Sequence, residues 1–428
     1  ITFFKKKKIE NFFKKNGFNG KFKFIDHHLA HGSSAYYIQP NDKGLCITMD
    51  ASGEGYCLRV YKCKNYKMKL VHSVECYKSP GYYYAYITQL LGFKPLRHEG
   101  KILGLAAHGN GIKVKKILKN FISFDKEKIS FINNGGHHDI VYNKLKKKLK
   151  NFKKKDIAAG IQLHLEDLIV KYIKEIVKKF SKEKSVNLFL SGGVFANVKL
   201  NQLLIQQKFT KNIFVCPNMG DGGLNLGCAL NISKKKINFK SIYTGKIKLD
   251  YSCIGKFKKK IEIVKPKNKF NLISNLITKN KILAICNSDM EYGPRALGNR
   301  SIICSAKNKN INSYLNKKLN RTEFMPFAPI VLSEDFNKYF YKDSKINLYK
   351  FMTFTCKVKK KCIDEAPAVV HIDNTARPQV VEKNANPFLY KILKTYKKKT
   401  GNGILINTSF NIHEEPIVFN FEDAIKSL

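Results

Sequence analysis

His27 and His31 stand four residues apart in Asp26-His27-His28-Leu29-Ala30-His31. On a helix that spacing puts both imidazoles on one face, one turn apart. Two imidazoles so placed can share one divalent metal if other ligands close the shell. Two carboxylates are candidates. Asp50 ends the apolar run Leu45-Cys46-Ile47-Thr48-Met49, and Asp221 sits inside Gly220-Asp221-Gly222-Gly223. A lone His pair at this spacing is most often a coincidence of surface or core. Here each candidate ligand stands at a helix start or a glycine-rich junction, which favours a metal. The metalloprotease pattern is excluded, because it needs a Glu directly after the first His as general base. His28 occupies that place. A metal here is expected to orient a substrate or phosphate rather than to generate a hydrolytic water.

A second set of chemistry-bearing positions is glycine-punctuated. Val186–Leu190 runs as a strand into Ser191-Gly192-Gly193 and a helix from Val194. The unit recurs at once: Ile213–Cys216, then 217–223, then a helix through Leu224–Leu230. Two consecutive units whose helix N-termini face one cleft make an anion and nucleotide site. Further on, four arginines stand at turns in a chain whose cations are otherwise mostly lysine. They are Arg295 after Gly-Pro, Arg300 after Gly-Asn, Arg321, and Arg377 in Asn374-Thr375-Ala376-Arg377. Arg binds phosphate or carboxylate through two parallel hydrogen bonds, which Lys cannot do. Salt bridges to nearby acids are the alternative, but four arginines at punctuated loops favour a phosphate-type ligand.

The elements that must position these groups are legible in outline. Strands are expected at Leu45–Asp50, Tyr56–Tyr61 and Leu70–Glu75, with an aromatic helix and Arg97–Ala106 within 81–109. Residues 111–155 read as a Lys-rich, peripheral stretch without assigned structure. Residues 156–180 read as an amphipathic helix carrying Ile157, Ile161, Leu165, Leu168 and Ile169 on one face. Residues 232–268 are polar and poorly patterned, and mark a domain boundary. Beyond it, strands are expected at Lys281–Cys286, Ser301–Ser305, Ala328–Leu332, Phe351–Val358 and Gly403–Asn407. Helices are expected at Ile311–Leu319 and Pro387–Lys398.

Composition bounds the function. At 428 residues with 43% apolar content, the chain should hold two or three domains with real cores. No apolar run is long enough to span a bilayer. The start, Ile1–Lys8, is not a signal peptide, and its lack of Met suggests a fragment. The 11 cysteines contain no Cys-x-x-Cys pair and several lie in apolar runs, as expected of reduced core residues in the cytoplasm. The formal charge of +47 raises nucleic-acid binding as a hypothesis. Yet the lysines are scattered, and runs such as Lys146–Lys148 and Lys258–Lys260 lack interleaved aromatics for base stacking. No specific nucleic-acid partner and no membrane are expected.

These segments together resemble the O-carbamoyltransferases of the nodulation and antibiotic-tailoring type, the NodU, CmcH and TobZ family. The matching stretches are Asp26–Ala35, Asp50–Gly55, Glu99–Gly109, Ser191–Asn197, Gly220–Leu230, Tyr292–Ile303, Phe327–Ile330, His371–Val381 and Asn407–Val418. They follow family order over almost the whole chain. The resemblance implies an α/β chain: an actin-like ATPase (ASKHA) domain over 1–245, a linker over 246–265, and a YrdC-like domain over 266–428. It implies that the second domain makes carbamoyl-adenylate from carbamoyl phosphate and ATP, with Mg. The first then moves the carbamoyl group to a hydroxyl of a small molecule or sugar at a bound divalent metal: iron, with zinc or manganese as alternatives. By the same likeness His27, His31, Asp50 and Asp221 hold the metal. Glu99, Lys101, Gly192, Gly193, Asn197, Gly220, Gly222 and Gly223 contact nucleotide. Arg295, Arg300, Arg321, Arg377, Asn407 and Ser409 contact carbamoyl phosphate. A homodimer is an expectation of the same kind.

The chain departs from the family in four places. A strand segment preceding the His helix, where the acceptor-deprotonating base is expected, is missing, which leaves Asp50 as the catalytic candidate. Asn287-Ser288-Asp289 stands where Gln-Gly-Arg is usual. Met325 stands where Arg is common. The chain stops soon after Val418. Two other functions compete with transfer to a small hydroxylated acceptor: carbamoylation of a tRNA nucleoside, and non-catalytic nucleotide binding by a fragment.

Overall fold

A computed structural model describes residues 3–237, 241–247, 254–257, 261–321, 324–341 and 346–428. Much of the expected linker, including Lys258–Lys260, lies outside the described residues. The fold is mixed α/β, with two five-stranded sheets. Among the described residues no helix is long and apolar enough to cross a membrane.

The first sheet runs in the order Lys67–Glu75, Tyr56–Lys64, Gly44–Gly53, Val186–Ser191, Thr210–Val215. The first three strands are antiparallel. Gly44–Gly53 then pairs in parallel with Val186–Ser191, with Leu45 opposite Leu188 and Thr48 opposite Ser191. Val186–Ser191 pairs in parallel with Thr210–Val215. Leu45–Met49 is buried at every residue, so both faces of this central strand are covered. Parallel strands need long crossovers, and between residues 53 and 186 the chain supplies a helical layer ending in the helix Lys154–Phe180.

The stretch 111–155 is not peripheral. It forms the helices Ile112–Lys119 and His138–Leu149 around the hairpin Ile122–Asp125 and Ser130–Asn133. Val141, Leu145 and Leu149, four residues apart, enter the core. Lysines on the remaining faces mask that period in the sequence.

The second sheet runs Gln379–Val381, Ala328–Leu332, Ile404–Ser409, Arg300–Ser305, Leu283–Cys286. The helices Lys269–Thr278 and Pro387–Thr400 cover it through Ile277, Leu389, Ile392, Leu393 and Tyr396. The second helix carries its own boundary signals. Asn386 accepts from the Leu389 N–H, Pro387 fills the first turn, and Gly401 closes the end at φ 73°.

One expectation about this half needs correction. Phe351–Val358 is a strand only at Cys356–Lys357. Two of its other backbone groups bond across to the first half: Asn201 Nδ2 donates to Thr353 O at 2.9 Å, and Thr355 N to Val198 O at 3.3 Å. Tyr243–Gly245 pairs with Met290–Glu291, and Ile242 packs with Leu297, Ala328 and Met352, so this segment sides with the second half. One apolar cluster runs from Ala35 through Ala424, tying the halves together.

Candidate metal centre and arginine cavity

The metal candidates converge. Asp26 begins the helix His27–Tyr36 by accepting from Leu29 N at 2.9 Å, and its other oxygen meets Arg59 at 2.7 Å. That cap fixes the face that carries His27 and His31. Asp50 arrives from the central strand, and its Oδ1 accepts from Gly193 N at 2.6 Å. Oδ2 then lies 2.9 Å from His31 Nε2 and 3.5 Å from His27 Nε2. Asp221 Oδ1 lies 3.3 and 3.8 Å from the same two nitrogens. The four donor atoms all fall within 4.8 Å of one another.

Two glycines make room for this arrangement. A Cβ on Gly53 would stand 2.1 Å from His27 Cδ2. Gly192 has φ 102°, and a Cβ there would stand 2.2 Å from Met49 O.

His27 Nε2, His31 Nε2 and Asp50 Oδ2 are buried and have no hydrogen-bond partner beyond this cluster. Buried polar atoms are otherwise paired, so three of them aimed at one point fit a cation. Two imidazoles and two carboxylates are a donor set for a borderline divalent metal. Electrostatics agree. Burial works against a charge on His31, but the Asp221 and Asp50 carboxylates outweigh it and push the imidazole up to about 9. Burial likewise opposes the Asp50 charge, and hydrogen bonding from His27, His31 and Gly193 holds that carboxyl well below the usual carboxylate range.

His28 turns the other way. Its Nδ1 lies 2.9 Å from Thr48 Oγ1 and its Nε2 3.0 Å from Tyr56 O, and burial drives its imidazole down to about 4. It is a neutral rivet between helix and sheet.

The arginines divide. A cavity of about 290 Å³ between the halves is lined by Arg295, Arg321, Arg377, Asn407 and Ser409, with Gly100 and Ala196 from the first half. Arg321 is fixed by five hydrogen bonds, to Thr408 Oγ1, to O and Oγ of Ser409, and to O and Oδ1 of Asn411. Arg300 is the correction. It is fully buried, and its guanidinium donates to the carbonyls of Asn287, Ser288, Asn299 and Phe419. It is not among the residues lining the cavity. Its guanidinium holds the 287–288 and 419 segments rather than facing the cavity. Met325 sits in the cavity wall, where a longer cation would reach the interior.

The nucleotide candidates are spread out. Glu99 Oε1 accepts from Leu96 N at 2.6 Å, and burial raises its carboxyl. Lys101 lies 3.3 Å from His413 Nε2. Asn197 caps the helix Val198–Ile205 through Leu200 N and exchanges hydrogen bonds with Gln162. Gly193 serves Asp50, and Gly220, Gly222 and Gly223 shape the turn that presents Asp221. Sequence reasoning missed Thr408, Asn411 and His413 as cavity neighbours. It also gave no role to His371 and Asp373, whose i,i+2 spacing was the available signal.

Comparison with known proteins identifies the family. The family profile described as Carbamoyltransferase N-terminus matches residues 2–230, and Carbamoyltransferase C-terminus matches residues 274–428. The chain is 35% identical to an uncharacterised protein of Methanocaldococcus jannaschii, over 98% of this chain and 82% of the relative. It is 28% identical to nodulation protein NolNO of Sinorhizobium fredii, over 94% of this chain and 61% of the relative. It is 25% identical to 3'-hydroxymethylcephem-O-carbamoyltransferase of Amycolatopsis lactamdurans, over 83% of this chain and 68% of the relative.

Proposed function

The chain belongs to the carbamoyltransferase family and is a transferase, and on that premise we propose what it transfers and how. It takes a carbamoyl group from carbamoyl phosphate, activates it with Mg-bound ATP as carbamoyl-adenylate, and passes it to a hydroxyl of a small molecule or sugar. The observation that carries this reading is the convergence of His27, His31, Asp50 and Asp221 within 4.8 Å, in a chain that also gathers three arginines in one cavity.

The residues divide the work. Arg295, Arg321 and Arg377, with Asn407 and Ser409, hold the phosphate of the donor; charged, forked contacts both bind and orient it. Adenylation turns a poor acyl donor into a mixed anhydride with a good leaving group. His27, His31, Asp50 and Asp221 would hold a divalent metal, iron first and zinc or manganese next. When bound, that metal supplies positive charge to a developing oxyanion. The Gly193 amide keeps Asp50 aimed at that point. The Ser191–Gly193 and Gly220–Gly223 turns offer backbone N–H groups to a nucleotide.

A first sheet ordered 3-2-1-4-5 in chain sequence, with its first three strands antiparallel, supports an actin-like ATPase lobe. We end that lobe before Ser241, and read 266–428 as a YrdC-like lobe. The described cysteines are free and mostly buried, which supports a reducing compartment such as the cytoplasm.

The test is ATP–pyrophosphate exchange that depends on carbamoyl phosphate, followed by carbamoyl transfer across a panel of hydroxylated acceptors. Absence of exchange would sink the reading. Exchange with transfer only to tRNA would replace the acceptor.

A further inference from the structure

One histidine–aspartate pair belongs neither to the metal centre nor to the arginine cavity. His371 is buried, with Nδ1 3.4 Å from Asp373 Oδ1. Asp373 is itself fixed: Lys199 Nζ meets Oδ2 at 2.6 Å, and Thr375 donates to Oδ1 through N at 3.1 Å and Oγ1 at 2.6 Å. Burial opposes the Asp373 charge, but bonds from His371, Lys199 and Thr375 keep it well below the usual carboxylate range. An ionised carboxylate beside Nδ1 fixes the proton there and leaves a lone pair on Nε2. That nitrogen is buried and has no hydrogen-bond partner. An orphaned nitrogen in a folded core needs an explanation.

His371 lines a second cavity, of about 230 Å³, together with Gln162, Glu166, Lys199 and Arg377. The ring of His108 stands edge-on to it, with centroids 5.6 Å apart. The two cavities share Leu103, Val198, Met325, Pro326 and Arg377 as wall residues. A small ligand whose phosphate rests against Arg377 can therefore turn its other end toward His371.

The chemistry of the donor needs a proton acceptor at that end. Carbamoyl phosphate has no free carboxylate oxygen to attack ATP. Carbamate has one, and it forms when water displaces phosphate from the carbamoyl carbon. We propose that His371, oriented by Asp373, takes the proton from that water. The proposal rests on the adenylation reading above.

In this step the water oxygen bonds to the carbamoyl carbon, one of its protons passes to His371 Nε2, and the other stays on the new carbamic acid until solvent takes it, leaving carbamate. The bond from that carbon to the phosphate oxygen breaks, and phosphate leaves with the electron pair toward Arg377. The imidazolium returns its proton to the departing phosphate or to solvent. Carbamate then attacks the α-phosphorus of ATP, and pyrophosphate leaves. Water is the only co-reactant, and nothing is oxidised or reduced. His371 is the catalytic residue of this step and Asp373 a positioning residue.

Ammonium bicarbonate supplies carbamate directly, which separates the step from adenylation. ATP–pyrophosphate exchange is measured with carbamoyl phosphate and, separately, with ammonium bicarbonate, for the wild type, His371→Gln, His371→Ala and Asp373→Asn. Both His371 variants should lose about 10²–10⁴-fold of the exchange driven by carbamoyl phosphate, and keep the exchange driven by carbamate. Added imidazole should restore part of the His371→Ala rate. Asp373→Asn should lower the same rate alone. In ¹⁸O-water the wild type should release unlabelled phosphate. Retention of both exchanges, joint loss of both in the two His371 variants, or labelled phosphate each overturns the proposal. If the wild type exchanges with carbamate but not with carbamoyl phosphate, adenylation stands and the His371 step falls. If it exchanges with neither, the adenylation reading fails and this step falls with it.

Discussion

The metal centre and the arginine cavity are both drawn from distant stretches of chain, and they are held in different ways. The metal centre hangs on regular structure: a capped helix, the end of a fully covered strand, and two glycine turns that follow parallel strands. Its side chains aim at one another, and the three buried donor atoms have no other partner. The arginine cavity is built from loops and strand ends. Arg321 there is held by side-chain and carbonyl oxygens of Thr408, Ser409 and Asn411. The signs are opposite too. Two carboxylates concentrate where a cation belongs, and arginines gather where an anion belongs. On the proposed function, separate walls keep a phosphate donor and a metal out of contact with each other. The two sites should therefore fail independently.

The largest break in that pairing comes from His27→Ala/His31→Ala. Removing two of four ligands should cut bound metal to less than about a tenth of the wild-type stoichiometry, the scale of loss expected when ligation itself is removed. Carbamoyl transfer should vanish while exchange driven by carbamoyl phosphate persists. Metal analysis and the two assays decide it. Full metal retention would mean the site is elsewhere. Loss of exchange along with the metal would mean the two sites are not separable.

Arg300→Ala tests the other half. Four carbonyls would lose a buried, charged donor, at a cost of about 3–5 kcal/mol. Denaturant unfolding should register that loss. Arg295→Ala should leave the unfolding midpoint alone and weaken carbamoyl phosphate by about 1.5–3 kcal/mol per charged hydrogen bond removed, read as a rise in KM for exchange. If the two variants exchange behaviours, the assignment of Arg300 to structure is wrong.

The same contrast explains what could be read in advance. Helical spacing of four and an Asp at a strand end are geometric statements, so His27, His31, Asp50 and Asp221 were legible as a set. The central strands and the helix over 156–180 were legible for the same reason. An arginine after a glycine states only that a cation stands at a turn. It does not say which way the side chain leaves, and Arg300 leaves inward. The folded 111–155 region was hidden by the many lysines in its helices, although Val141, Leu145 and Leu149 keep their period. The 351–355 stretch could not be read because its hydrogen-bond partners, Val198 and Asn201, are some 150 residues away. His371 and Asp373 lay in a stretch that matched the family, but a two-residue spacing in a loop sets no direction, so no role followed from it.

The smallest effect lies beneath the first lobe, in a histidine that contrasts with the metal pair. His164, on the helix Lys154–Phe180, is buried, and its Nε2 lies 2.8 Å from Ile122 O. Nδ1 has no hydrogen-bond partner. Here burial has no carboxylates strong enough to offset it, and the imidazole is driven down to about 4. His31, equally buried, is pushed the opposite way because two carboxylates face it. The sign for His164 follows from linkage. Between about pH 4 and pH 6.5 the unfolded chain binds a proton on this ring and the folded chain does not. The neutral form's contribution is complete above pH 6.5 and is lost as pH falls toward 4. At pH 5 the loss should reach about 2 kcal/mol. Urea unfolding of the wild type and His164→Gln at pH 8 and pH 5 reads it directly. The variant should be weaker at pH 8, and the difference should shrink by about 2 kcal/mol at pH 5. A difference that stays constant would mean that His164 takes up its proton without leaving the core, and the contrast between the two buried histidines would disappear.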